Sequence, residues 1–196
     1  MEVDWEIEVG GGAPIIEVLW PGFVDLRRSS ETYTILNSDP DRLTEIVEAA
    51  AFPPLGTLLR ALNTQSSPVW TSKCDLWEPS PIEFAGPTTI AADIQAALAC
   101  YVDLLPLECM VFPSLEQAEM LCREWVGRLS AIDIPLCRID LIIRQAIAAE
   151  AEGFGITAYL GAAGADSPAA ANVLAAAMSA FAAAIPGPLG SCCVQP

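Results

Sequence analysis

Residues Pro135 to Ile185, PLCRIDLIIRQAIAAEAEGFGITAYLGAAGADSPAAANVLAAAMSAFAAAI, decide how the chain folds. Cys137, Ile139, Leu141 and Ile143 alternate with Arg138, Asp140, Ile142 and Arg144, which places one set on each side of a pleated strand. Phe154, Ile156, Ala158 and Leu160 alternate in the same way with Gly155, Thr157, Tyr159 and Gly161. The segment Ala148 to Gly153 supplies a turn between the two runs. Gly161 to Gly164 then reads as a short loop, and Asp166-Ser167-Pro168 starts a helix that ends before Pro186. The unit is strand, hairpin, strand, glycine loop, helix.

Upstream, Ser114 with Gln117 forms a capping box behind Pro113. Ala118, Leu121, Cys122, Trp125 and Leu129 give the helix that follows its apolar stripe, to about Ser130. The stretch Ala91 to Leu105 opens with helix-favouring alanines, but Ala99 to Leu105 suits a buried strand. Val69 to Trp77 reads as another strand. Between them, Glu78 to Thr89 carries Pro79, Pro81, Gly86 and Pro87 and reads as a linker. Asp39 caps a helix carrying Leu43, Ile46, Val47 and Ala50; Pro53-Pro54 interrupts it, and Leu55, Leu58, Leu59 and Leu62 resume the spacing.

The N-terminal run is the cleanest strand. Val3, Trp5, Ile7 and Val9 alternate with Glu2, Asp4, Glu6 and Glu8, so one face is apolar and the other wholly acidic. Gly10-Gly11-Gly12 predicts a hairpin turn, with Ile15 to Leu19 returning as the second strand. Phe23 to Arg27 and Thr32 to Leu36 add short strands. These elements predict an α+β fold, a mostly antiparallel sheet with helices packed on one face. Two arrangements satisfy the order: repeated strand-strand-helix units, or a ferredoxin-like βαββα half from Ala99 to Ile185. A single domain over residues 1–196 is expected, with a possible division into 1–78 and 90–185 around the 79–89 linker.

Charge narrows the function. The chain has 25 acidic and 9 basic residues and no histidine, for a net charge of −16. Such a surface repels nucleic-acid phosphates and anionic headgroups, so neither nucleic acid nor membrane is an expected partner; a basic protein is. Acidity that merely keeps an Ala-rich chain soluble competes with that reading. The acidic N-terminal alternation does not read as a signal peptide, and the seven cysteines are expected as reduced thiols in a cytoplasmic protein. Without histidine or a Cys-x-x-Cys pair, no metal site and no cofactor is expected.

Absence of histidine also excludes a Ser–His–Asp arrangement. Paired carboxylates remain available, from Asp93, Asp103, Glu108 and Asp133; Asp103, set among Tyr101, Val102, Leu104 and Leu105, is the one expected to be buried, with a raised pKa. Arg138, Asp140 and Arg144 share a strand face, with Thr157 and Tyr159 opposite across the hairpin. This set could grip an anionic ligand through two guanidinium forks, or form a surface ion-pair ladder. Asp4, Glu6 and Glu8 are the candidate partner-binding row.

Ten of the sixteen residues from Ala169 to Ala184 are alanine, and no charged side chain follows Asp166. That helix is either covered within the chain or seated on a second copy, with Val173, Leu174, Ala177, Met178 and Phe181 as the oligomer contact. A phosphate at the Gly161–Gly164 loop and a membrane span are the lesser alternatives. The expected function is a non-enzymatic acidic protein-binding module, of the kind that inhibits or neutralises a basic partner. The alternatives are a domain binding a small anionic molecule, a carboxylate-based hydrolase, or a self-assembling structural subunit.

Overall fold

The computed structural model describes residues 1–18, 43, 45–64, 66–84, 94–148 and 151–185. The expected strands at Phe23 to Arg27 and Thr32 to Leu36, the Asp39 cap, Asp93 and the cysteines at 192 and 193 lie outside the described residues.

The elements run β1 (Glu2–Glu8), β2 (Ile16–Val18), α1 (Val47–Ala51), α2 (Pro53–Leu62), β3 (Val69–Trp77), β4 (Ala96–Pro106), α3 (Leu115–Leu129), β5 (Cys137–Ala148), β6 (Ala151–Gly164) and α4 (Ser167–Ala184). A 3-10 turn spans Pro81–Phe84. The fold is α+β, with a mixed six-stranded sheet in the order β1-β5-β6-β4-β3 and β2 beside β5. Pairs β3–β4, β4–β6 and β5–β6 are antiparallel; β1 and β2 both run parallel to β5.

The parallel edge corrects the expected N-terminal hairpin. β1 lies along Arg138–Arg144 and β2 along Ala146–Ala148, so the chain leaves β5 and rejoins it further on in the same direction. The glycine loop makes this detour with Gly10 at φ 115° and Gly12 at φ 92°, which other residues adopt only under strain. The expected first strand-strand-helix unit therefore does not form. Two such units do form, β3-β4-α3 and β5-β6-α4, and β6 sits between β4 and β5 as in a split β-α-β arrangement.

Alternation along the strands divides the sheet into two faces. Cys100, Val102 and Leu104 of β4, Ile139, Leu141 and Ile143 of β5, and Ile156, Ala158 and Leu160 of β6 point to one side. They meet Leu55, Leu58, Leu59 and Leu62 of α2, Ala118, Leu121, Cys122, Trp125 and Leu129 of α3, and Leu174, Ala177, Met178 and Phe181 of α4. Each fully buried aliphatic side chain contributes about 1.5–3 kcal/mol, so this face dominates the stability.

Local signals set the helix boundaries. Ser114 Oγ accepts the Gln117 N–H at 3.3 Å, and Asp166 Oδ1 accepts the Ala169 N–H at 2.8 Å. Pro53 opens α2 where the kink is expected, but Val47, placed on the apolar stripe by spacing, is 75% exposed. The expected Gly161–Gly164 loop is the last part of β6, paired with β4. Its glycines serve close packing instead: a Cβ on Gly164 would fall 2.5 Å from the Ala170 nitrogen of α4. Strands before and after the proline-rich 79–89 segment belong to one sheet, and Phe84 of that segment packs over Gly161.

Candidate functional site

Among the described residues, no α-helix packs on the second face of the sheet. Its two ends are covered. At one, Ile16, Val18, Leu105, Val111 and Ala146 form a small apolar cluster; at the other, Phe84 and Leu136 pack on Ile94, Ala97 and Ala163. The middle is open, and it unites residues that the sequence leaves as separate groups.

Parallel pairing of β1 with β5 sets Asp4 beside Asp140, Glu6 beside Ile142 and Glu8 beside Arg144. The acidic row and the arginine-bearing strand are thus neighbours on one surface. Across the next strands, Asp75, Tyr101, Tyr159 and Asp140 form one straight row over β3, β4, β6 and β5. The ends of that row, Asp75 in Lys73-Cys74-Asp75-Leu76 and Asp140 in Arg138-Ile139-Asp140-Leu141, lie on strands of opposite direction, so Lys73 and Arg138 fall on opposite sides of it.

Three rings gather at its centre. Tyr101 and Tyr159 are 5.8 Å apart between centroids, and Trp77 lies 6.3 Å from Tyr101 and 6.2 Å from Tyr159. Offset and edge-on arrangements at these separations are favourable. Arg144 rests 5.6 Å above the Tyr159 ring. Its Nη2 donates to Glu8 Oε2 at 2.7 Å, and its Nη1 donates to the Tyr159 hydroxyl at 3.2 Å and to Thr157 Oγ1 at 3.4 Å. Burial works against the charge of Arg144, but the bonds to Glu8 and Tyr159 prevail and hold its pKa above the ordinary value. Thr157 Oγ1 in turn donates to Asp103 Oδ1 at 2.6 Å.

Asp103 is buried as the sequence suggests, at 6% exposure. Burial pushes its carboxyl pKa up, while Thr157 and the charges of Lys73 and Arg144 pull the other way. Tyr101 is raised by burial first and by the Asp103 and Asp75 charges second. Of the other expected carboxylates, Glu108 and Asp133 are exposed.

Arg138 Nε donates to Asp140 Oδ2 at 2.6 Å, and that hydrogen bond holds the guanidinium pKa up. Both arginines of the candidate site are thus already matched to carboxylates, which weakens the expectation of an anion held between two free guanidinium forks. Beside Arg138 lies a trough of about 330 Å³. Trp77, Phe84, Ile142 and Tyr159 form its apolar walls; Ala99 and Gly161, with almost no side chain, leave its floor hollow; Glu6, Glu83, Asp140 and Arg138 ring it. The lining charges, three carboxylates and one guanidinium, favour a cation. Trp77 and Tyr101 do not stand out in the sequence, because only sheet register brings them to Tyr159, and Phe84 arrives on the Pro81–Phe84 turn.

Most residues of the expected oligomer contact lie inside this chain. Leu174, Ala177, Met178 and Phe181 are buried against the sheet and neighbouring helices, and Phe181 meets Trp125 edge-on at 6.3 Å. Val173 is half-buried. The helix α4 is long and apolar enough to cross a membrane, with a mean hydropathy of 1.3. Its alanines instead allow close approach to β6. Among the described residues no group of three Cys, Asp or Glu side chains converges to hold a metal ion. Cys100, Cys122 and Cys137 are buried free thiols, whereas Cys109 is disulfide-bonded and departs from the all-reduced expectation.

In comparisons with known proteins, no family model, no curated protein and no solved structure matches the chain.

Proposed function

We propose that the protein is a non-catalytic acidic binding module that engages a basic protein through the open face of its sheet, in the manner of an inhibitor or neutralising partner. The observation that carries this reading is the register of β1 on β5, which sets Asp4, Glu6 and Glu8 on the same face as the half-buried Tyr101 and Tyr159 rings and the exposed Trp77 ring. Acidic groups around an aromatic centre are a fit for basic side chains, since charge steers the encounter and rings supply contact area. Among the described residues, carboxylates and partly exposed rings coincide on this face.

Charge reversal tests it, with a nona-arginine peptide as probe. Replacing Asp4 and Glu6 together by lysine on the open face should weaken binding about tenfold and flatten its salt dependence. Replacing Glu116 and Glu124 by lysine on α3 removes the same charge and should change binding about twofold at most. Equal losses from both pairs would show that only net charge matters, and the reading would fall.

A second reading, a small-molecule binding domain, is favoured by the trough itself. Its volume of about 330 Å³ lies at the lower end of the range for ligand pockets, roughly 300–1,000 Å³.

A further inference from the structure

We infer that the trough seats a single arginine side chain of the basic partner, with the guanidinium against the Trp77 ring and the carboxylates that ring the trough. This rests on the open face being the partner surface, and it names the chemistry that the face selects.

The face already holds one guanidinium in this way. Arg144 lies 5.6 Å above the Tyr159 ring and is tied at 2.7 Å to Glu8 of the adjacent strand. The trough repeats those ingredients on the other side of the same ring. Trp77 stands edge-on 6.2 Å from Tyr159, and Glu6 precedes Glu8 by one step on the same face of β1. Where Arg144 fills its half of the face, the other half is hollow, because Gly161 and Ala99 leave its floor bare.

Width and wall are set by Phe84, packed so closely on Gly161 that an added Cβ would fall 2.5 Å from the ring. An apolar stem would lie along Ile142 and the Phe84 ring. A planar head would meet the Trp77 ring and the carboxylates. Arginine fits this better than lysine: its flat guanidinium stacks on a ring and forks onto a carboxylate at once. An anion is disfavoured, since Arg138 is already bound to Asp140 at 2.6 Å and the remaining lining is acidic.

The test uses the full chain and N-acetyl-arginine amide, followed by the backbone amide signals of Ala99, Ile142 and Gly161. N-acetyl-citrulline amide, which keeps the shape and lacks the charge, is the control. Saturable shifts are expected with the arginine compound, and about tenfold weaker binding with citrulline. Trp77→Ala should weaken the arginine shifts about tenfold and Glu6→Gln about threefold, with the remaining spectrum unchanged. Indifference to arginine, or equal response to citrulline, would overturn the pocket. If nona-arginine still binds the open face in that case, the wider reading survives its loss. If nona-arginine also fails to distinguish the two faces, both fall together.

Discussion

The two faces of this sheet are built from the same strands and differ in what an error costs them. On the covered face, neighbouring strands and three helices share the burial, and a side chain such as Leu141 is enclosed on all sides. On the open face, the contacts are individually partnered: Arg144 to Glu8, Thr157 to Asp103, Arg138 to Asp140. One face holds the fold, and the other displays groups whose removal should leave the fold standing.

The largest effect is expected where a charge enters the covered face. Ala177 is fully buried, so Ala177→Glu places a carboxylate in the core without a partner. Destabilisation of more than about 4 kcal/mol is expected, measured by urea unfolding. Retained stability would show that α4 is not held against the sheet.

Next comes the wall of the trough. Gly161→Val drives a Cβ into the Phe84 ring, 2.5 Å away, and must displace that ring from the trough wall. A loss of about 1–3 kcal/mol is expected, together with loss of arginine-amide binding. Phe84→Ala relieves the clash, so the double variant should recover part of the stability without the binding.

Asp103 gives a pH-dependent comparison. Burial raises its folded pKa above the ordinary 3.8, so the folded chain holds that proton more tightly than the unfolded one. The stability linked to it is present below the ordinary value and is lost as pH rises through the raised one. Asp103→Asn should therefore show less loss of stability than the parent chain as pH rises above 3.8, read from unfolding midpoints at several pH values. Parallel curves would show that the carboxyl is solvated.

The smallest effect on folding sharpens the contrast most. Trp77 is 36% exposed at the end of an edge strand. Trp77→Ala should cost about 1 kcal/mol, from the loss of its two ring contacts, yet remove most of the binding at the trough.

Much of the covered face is legible from the chain alone. The alternation of Ile139, Leu141 and Ile143, the capping box at Ser114 and the Asp166 cap each encode a local structure whose physics lies within a few residues. The direction of β1 is not encoded that way. Gly10 to Gly12 is compatible with a hairpin or with a detour, and the choice depends on β5, far along the chain. Val47 matches helical spacing because its helix is too short for spacing to decide which side faces the core. The open face is legible only in halves. Arg138, Asp140, Arg144 and Tyr159 meet through one hairpin, so their sequence positions suffice. Trp77, Tyr101 and Glu6 join them through three further strands, and no local signal sets that register.

On the proposed reading the open face, and not acidity at large, receives a basic partner. Mapping backbone amide shifts during titration with a nona-arginine peptide tests it most directly. Shifts are expected to concentrate at Asp4, Glu6, Asp140, Tyr159, Gly161 and Trp77, with α3 silent. Comparable shifts at Glu116, Glu119 and Glu124 on α3 would contradict it.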